Sequence, residues 1–349
     1  MLRRKTVFVI GAGAGVSVGM PIGRELADSI SEQVCFATDE WGRFRGGHRT
    51  LLQAAQMPPP HGKPPAKKAT IDAGQSLTAA LPHARSIDSF IASRADDENR
   101  EAIEYIGKIA ILLNILAKEE GSKMAGKFHP HLGPQLNPAG VADTWFNQLF
   151  QILQTGVGSA AYASVLNNAS FIVFNYDRCL EFFLFHAIQN YFGVGPTEAG
   201  RVVSKARIYH PYGIAGGLPY IGDQPYLSFG EQPDAIKLNA ASAMIQTYGD
   251  AKVDQEVQRG IQDALRDAEV IVFLGFGFHE ENLEILRFPS AKNPMIYSTD
   301  VKLPQTAVSR FKGQLLETFK RFDEQPIVNW RFGGIGDCEA LFRDYGVEF

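Results

Sequence analysis

Short, wholly apolar runs alternate with glycine-rich or polar breaks along this chain, and that rhythm predicts its skeleton. Val7-Phe8-Val9-Ile10 is a continuous apolar run of the kind that forms a central parallel strand covered on both faces. Gly11-Ala12-Gly13-Ala14-Gly15 turns the chain, and Gly23-Arg24-Glu25-Leu26-Ala27 continues as a helix. The pattern returns in the second half. Phe171-Ile172-Val173-Phe174 is followed by Asn175-Tyr176-Asp177 and an apolar helix from Leu180 to Ile188. Arg207-Ile208-Tyr209 leads into His210-Pro211-Tyr212-Gly213. Glu269-Val270-Ile271-Val272-Phe273-Leu274 ends at Gly275-Phe276-Gly277-Phe278, and Pro294-Met295-Ile296-Tyr297 ends at Ser298-Thr299-Asp300. Every one of these strands stops in polar or glycine-rich residues, and ligands of open α/β sheets bind at those carboxyl ends.

Between the two halves the rhythm changes. From Gly42 to about Pro82, Gly46-Gly47, Pro58-Pro59-Pro60, Pro64-Pro65 and Lys67-Lys68 punctuate a stretch with little periodicity, which reads as a long loop or lid. Helical spacing resumes near Ser86, where Phe90, Ile103, Ile106, Ile109, Leu113 and Leu116 supply an apolar face. It lapses from Lys127 to Gly140 and recurs in Trp145, Phe146, Leu149, Phe150 and Leu153. The expected fold is α/β, a Rossmann-like mostly parallel sheet in one domain over residues 1–349, with a helical insertion subdomain from about 42 to 160. No internal repeat interrupts it.

Composition narrows the classes. At 349 residues the chain can bury a sizeable core, and its apolar and charged fractions, 45% and 21%, are those of an ordinary globular protein. A formal net charge of −4 argues against a dedicated nucleic-acid surface. No apolar run reaches bilayer length. The basic start, Met1-Leu2-Arg3-Arg4-Lys5, superficially resembles a signal peptide, but the apolar stretch after it breaks at once into glycines and reads as a buried strand. Cys35, Cys179 and Cys338 lie far apart, which fits a reducing compartment and excludes a Cys-x-x-Cys zinc ribbon. The expectation is a cytoplasmic, soluble protein with no metal.

The glycine cluster is the first candidate for chemistry. Gly11, Gly13 and Gly15 directly after a buried strand let the backbone turn tightly and approach a pyrophosphate, whose charge can sit at the following helix N-terminus. A strand-to-helix turn without a ligand can use the same glycines. The acidic residue that dinucleotide dehydrogenases carry on a second strand about 20 residues on is not evident, because the chain enters the Gly/Pro-rich segment instead.

The run from Gly11 to Pro21, Gly-Ala-Gly-Ala-Gly-Val-Ser-Val-Gly-Met-Pro, resembles the first motif of sirtuin-like domains, where Gly-Ala-Gly is soon followed by Gly-x-Pro. Phe174-Asn175-Tyr176-Asp177 is similar to the Asn-Tyr-Asp element of the family's bacterial branch, and Tyr209-His210-Pro211-Tyr212-Gly213 to that branch's version of the sirtuin His-Gly element. Leu274-Gly275-Phe276-Gly277-Phe278 and Ser298-Thr299-Asp300 fall where late NAD-contacting loops of the family would lie. The resemblance implies an NAD site contributed by Gly11, Ala12, Gly13, Gly15, Gly19, Pro21, Asp177, Gly275, Gly277, Asn282 and Ser298, with Asp177 accepting from the nicotinamide carboxamide and Asn282 near an adenosine ribose. Members of this branch are typically NAD hydrolases in antiphage defence, or nucleotide-binding relatives in the same systems. Departures exist: Gly15 stands where a small hydroxyl residue is common, and Ile22-Gly23-Arg24 replaces the sirtuin Asp-Phe-Arg. The four zinc-ligating cysteines are missing, so simple NAD cleavage is expected rather than protein deacylation.

The residue types suit that reaction. Breaking the nicotinamide–ribose bond needs a positioned ribose, a departing neutral nicotinamide and a water. An imidazole titrates near neutrality and can act as a general base, and that role is assigned to His210. The Asn175 amide both donates and accepts, which suits ribose hydroxyls and an ordered water. Taken alone, His210 reads as a loop histidine, and Asn175 and Asp177 as capping residues after a strand. His129-Pro130-His131 reads as a surface loop without carboxylate partners, and His279-Glu280-Glu281 as a polar helix start, since Leu283 stands where a zinc helix needs histidine. Asp88 either caps the insertion's first long helix or belongs to an Ile-Asp-x-Phe element of the family. The other expected class is a non-catalytic module that senses NAD or ADP-ribose or serves as a scaffold. In either case the chain is expected to act as a homo-oligomer or with a separate effector or sensor chain.

Overall fold

The alternation of apolar runs and breaks becomes, in the computed structural model, a parallel sheet wrapped by helices. Residues 2–38, 40–41, 44–60, 65–94, 96–129, 133–221, 225–247, 253–287, 292–300, 305–318, 330–332 and 335–349 are described. The chain opens with β1 (Thr6–Ile10), a 3-10 turn over Ala12–Val18 and α1 (Gly23–Gln33). A small ribbon follows, β2 (Ala37–Thr38) with β3 (Phe44–Gly46), then helices α2 (Arg49–Ala55), α3 (Lys67–Ala80), α4 (Ile87–Ala92) and α5 (Arg100–Glu120). A second ribbon, β4 (Ala125–His129) with β5 (Gly133–Leu136), precedes α6 (Pro138–Val141) and α7 (Trp145–Gln154). The sheet then resumes with β6 (Ala169–Val173), α8 (Cys179–Phe192), α9 (Pro196–Ser204) and β7 (Arg207–Tyr209). It closes with α10 (Ala235–Ser242), α11 (Gln255–Asp267), β8 (Val270–Leu274), α12 (Glu280–Leu286), β9 (Met295–Ser298), α13 (Gln305–Thr318), β10 (Trp330–Phe332) and α14 (Cys338–Tyr345).

The main sheet has six strands in the order β10-β9-β8-β1-β6-β7, all parallel. Counted along the chain that is 3-2-1-4-5-6, the Rossmann order. Every residue of β1, β6 and β8 is buried, which explains why these strands read as unbroken apolar runs. On one face Phe8 and Phe171, register partners, stack at 5.4 Å, and Phe8 meets Phe342 of α14 at 6.1 Å. Trp145 and Phe146 of α7 extend that layer to Phe183 of α8. Helix α11 packs against β7.

Three stretches differ from the sequence expectation. The supposed loop from 42 to 82 contains α2 and α3, whose buried face is Leu51, Ala54, Ala55, Thr70, Ala73, Gly74 and Leu77. Alanine and glycine build that face because the helix lies very close to its support: a Cβ on Gly74 would stand 2.6 Å from the Val34 carbonyl. Such a face carries too little apolar contrast to be seen as periodicity. The stretch from Lys127 to Gly140 includes the β4–β5 ribbon. The edge strand β10, three residues long, was not expected at all.

The helical layer between β1 and β6 also recruits later chain. Helix α10 packs on α2 and α5, where Asn239 Nδ2 donates to the Tyr105 hydroxyl at 2.6 Å and to the Pro58 carbonyl at 2.9 Å. Deeper, Arg178 and Glu119 form an ion pair whose side chains are 1% and 0% exposed. Glu119, at the end of α5, accepts from the Arg178 backbone and guanidinium and from Gly230 N, while Arg178 donates to the Leu227 carbonyl at 2.7 Å.

Candidate functional site

Strand order reverses between β1 and β8, and the crevice outside their carboxyl ends is the ligand position of such sheets. The Gly11 loop and the Gly275 loop meet there, backbone on backbone. Gly11 N donates to the Leu274 carbonyl at 2.9 Å and Gly13 N to the Gly275 carbonyl at 3.0 Å. A Cβ on Gly11 would stand 2.7 Å from the Gly275 oxygen, and one on Gly13 2.9 Å from the same atom. Gly275 has φ +55, and a Cβ there would overlap Gly13 and the Ala14 nitrogen. Contact between the two loops is therefore one reason for the glycines. Thr299, at the end of β9, accepts from Gly275 N at 2.9 Å and steadies that loop from the other side.

The helical layer supports the first loop from beneath: the Trp145 indole donates to the Ala14 carbonyl at 2.8 Å, and Lys123 N to the Val18 carbonyl at 2.9 Å. Ala12 is half-buried and Gly13 exposed, whereas Gly15 and Pro21 are buried. Gly15 packs on Met20, whose Cβ would be 2.7 Å from a Cβ at 15, and Gly19 ends the 3-10 turn at φ +90. The Ser17 hydroxyl oxygen is buried with no partner among the described residues.

At the end of β6, Asn175 Nδ2 donates to the Gly11 carbonyl at 3.2 Å, which ties the amide to the glycine loop. Asp177 is buried and accepts from Cys179 N at 3.1 Å, as a carboxylate at the start of α8 can. Burial pushes its pKa up; the Cys179 hydrogen bonds oppose this, and the charges of Glu119 and Glu181 add to it. The Tyr176 hydroxyl lies 2.5 Å from Asp88 Oδ1, so Asp88 links the first turn of α4 to the site, while Ser86 caps that helix.

At the end of β7, both ring nitrogens of His210 face acceptors: Nε2 lies 2.6 Å from Glu181 Oε1 and Nδ1 3.3 Å from the Asn175 carbonyl. The two side chains are only 10% and 13% exposed, so water screens the pair little. Burial by itself lowers the His210 pKa, but the Glu181 charge and hydrogen bond, the Asn175 carbonyl and the Asp177 charge outweigh it, and the net displacement is upward. Both contacts and the upward shift favour the protonated form of the ring over the neutral one. Two residues on, the Tyr212 hydroxyl donates to Asn282 Oδ1 at 2.7 Å and joins the β7 loop to α12.

The structure thus brings Gly11, Gly13, Gly275, Asn175 and His210 into one connected set, with Asn282 attached through Tyr212. Ser298 is set apart: it is 1% exposed and its hydroxyl donates to the Thr299 carbonyl at 3.0 Å, in the floor of the sheet. Gly277 is exposed on the β8 loop, beside the His279 ring, and His279 precedes α12 as the expected polar helix start. His129 ends β4, while Pro130 and His131 lie outside the described residues. Among the described residues no group of three or more His, Cys, Asp or Glu side chains could hold a metal, and no helix is long and apolar enough to cross a membrane.

Sequence reasoning missed Glu181, and it named Thr299 and Tyr212 only as members of strand-end runs, without a role. Glu181 left a usable trace, as the single carboxylate in the run from Leu180 to Ile188, which is otherwise apolar apart from His186. Chemically, the edge offers two glycine loops joined backbone to backbone, an amide tied to the first, and an imidazole in contact with a carboxylate on the next strand end. No family model matches the chain, and no curated protein matches it.

Proposed function

We propose that the crevice between β1 and β8 binds NAD, and that the chain is a sirtuin-like NAD glycohydrolase releasing nicotinamide and ADP-ribose, acting in the cytoplasm in antiphage defence. The observation that carries the reading is the contact chain at the point of strand reversal, from the Gly11 loop to the Asn175 amide and from the Asn175 carbonyl to His210. In that reaction a water oxygen bonds to the anomeric carbon of the ribose. The electron pair of the broken C–N bond leaves with nicotinamide, which departs neutral, and the water's proton passes to His210. Asn175 orients ribose and water, having one N–H committed to Gly11 and no donor on its Oδ1 among the described residues. The start of the 3-10 turn, directly after Gly11, is the helix N-terminus that would favour a pyrophosphate, although Gly13 N and Ala14 N are already bonded within the loops.

One observation favours a second reading. Both ring nitrogens of His210 face acceptors, which favours the protonated ring, and an imidazolium is not a base until it sheds a proton. A module that binds NAD or ADP-ribose without turnover, and signals as a homo-oligomer or through a separate effector chain, needs no such step. Calorimetry with NAD and ADP-ribose, paired with an assay for free nicotinamide, separates the two. Binding with nicotinamide release supports the hydrolase. Binding without release supports the sensor, and saturable affinity for neither ligand removes the dinucleotide site.

A further inference from the structure

The two partners of the His210 ring are unequal. The contact of Nε2 with Glu181 Oε1, at 2.6 Å, is short and charge-assisted, whereas Nδ1 and the Asn175 carbonyl, at 3.3 Å, make a long and weak hydrogen bond. Glu181 lies in the first turn of α8, the helix that follows β6, and shares a cavity wall with Ile208 of β7 and His210. Its second oxygen, Oε2, is buried and has no partner among the described residues. Beside the pair is a cavity of about 170 Å³ whose walls include Arg178, Glu181, Ser204, Ile208, His210 and Ile214. The charged groups around the ring come from three elements. Glu181 belongs to α8 and Asp177 to the end of β6, while the neighbouring guanidinium of Arg178 is taken by Glu119 of α5. Arg178 is thus already paired, and Glu181 is the carboxylate in direct contact with the His210 ring.

We infer that Glu181 is the positioning residue of this site: it fixes the ring with Nε2–H on its carboxylate and leaves Nδ1 as the nitrogen that exchanges a proton with the ligand. The reason is electrostatic. Once Nδ1 loses its proton, its lone pair points at the Asn175 carbonyl, and two acceptors face each other. A hydroxyl or water delivered at the strand end replaces the carbonyl as the partner of Nδ1, so ligand arrival and the gain of a working base are coupled. A carboxylate that holds the tautomer and steadies the imidazolium formed in the reaction is the recurrent arrangement around histidine bases. This rests on the reading of His210 as the base in NAD cleavage, but the coupling of ring to carboxylate can be measured without NAD.

The test is an NMR pH titration of the His210 ring protons in the full chain, for the parent, Glu181→Gln and Glu181→Asp, alongside NAD turnover. In Glu181→Gln the His210 midpoint should move down, because the ring loses its counter-charge, and kcat should fall by about tenfold or more at little-changed KM. Glu181→Asp keeps the charge but draws it back, so it should recover part of both, and it supplies the comparison if the Gln variant does not fold. A folded Glu181→Gln protein with the parent midpoint overturns the pairing. A lowered midpoint with unchanged kcat overturns the positioning role. A parent protein that does not turn over NAD fails the glycohydrolase reading instead, and the midpoint then decides the pairing alone.

Discussion

At the scale of single residues, His210 and Asn175 carry the sharpest expectations. His210→Ala should lower NAD cleavage by on the order of 10²-fold or more with the fold intact. Asn175→Ala should be similarly damaging, through lost orientation rather than lost affinity. The two losses should not add, since both residues serve one transition state. A folded His210→Ala protein that cleaves at the parent rate removes the catalytic assignment and leaves the binding site standing. The charge state adds a pH signature. With the His210 pKa displaced upward from 6.5, the free base predominates only above the raised value, so the acid limb of kcat/KM should rise with its midpoint above 6.5. Stability moves the opposite way. A raised native pKa gives a contribution that is complete below 6.5 and is lost as pH rises through the native value. The stability gap between the parent and His210→Ala should therefore narrow over that interval in thermal melts, and a pH-independent gap refutes the ion pair.

At the scale of elements, each strand end is fixed by the next. β8 presents a carbonyl to Gly11, β9 presents Thr299 to Gly275, β6 presents Asn175 to Gly11, and the β7 loop reaches α12 through Tyr212. A tight joint in this chain of contacts is Gly275, which combines φ +55 with a backbone neighbour on the Cβ side. Gly275→Ala should cost about 2–4 kcal/mol, from a disfavoured left-handed conformation plus overlap that neither backbone can relieve. It should also weaken NAD binding, because it pushes the Gly11 loop off the crevice. Urea denaturation and calorimetry check both effects. A cost below about 1 kcal/mol contradicts the packing account. Gly19→Ala is a useful contrast, since its φ is +90 but nothing lies within 4 Å of the added Cβ.

At the scale of the whole molecule, the helical layer and the sheet are joined by the Arg178–Glu119 pair. Glu119 ends the long α5, Arg178 begins α8 next to Asp177, and the pair also holds backbone of the 216–230 segment. Removing one partner leaves the other charged and buried. Glu119→Ala should accordingly destabilise the chain by about 3–5 kcal/mol. The parent should unfold in one transition, because the pair, Trp145 under the glycine loop and α10 on α5 all cross between the two parts. A parent that melts in two separate steps, or a Glu119→Ala variant of parent stability, rules out that coupling.

Within the sequence lay everything that depends on neighbours along the chain. Strands buried on both faces need unbroken apolar runs, so β1, β6 and β8 were plain, and with them the α/β class and the loops at their carboxyl ends. Helices with strong apolar stripes, α5 and α7, were equally legible. Helices α2 and α3 were not, because their buried faces are largely alanine and glycine and close approach, not hydrophobic contrast, seats them. The site divides along the same line. Gly11, Asn175 and His210 could be picked out as residue types at strand ends. The seating of Gly11 and Gly13 against Gly275, the attachment of Asn175 to the loop, and the ionic character of His210 depend on residues far away in sequence. Glu181 shows why: 29 positions from His210, it favours the protonated ring only because the fold brings the first turn of α8 to the end of β7. Local pattern sets which residues reach the sheet edge, and tertiary packing alone sets what each one faces there.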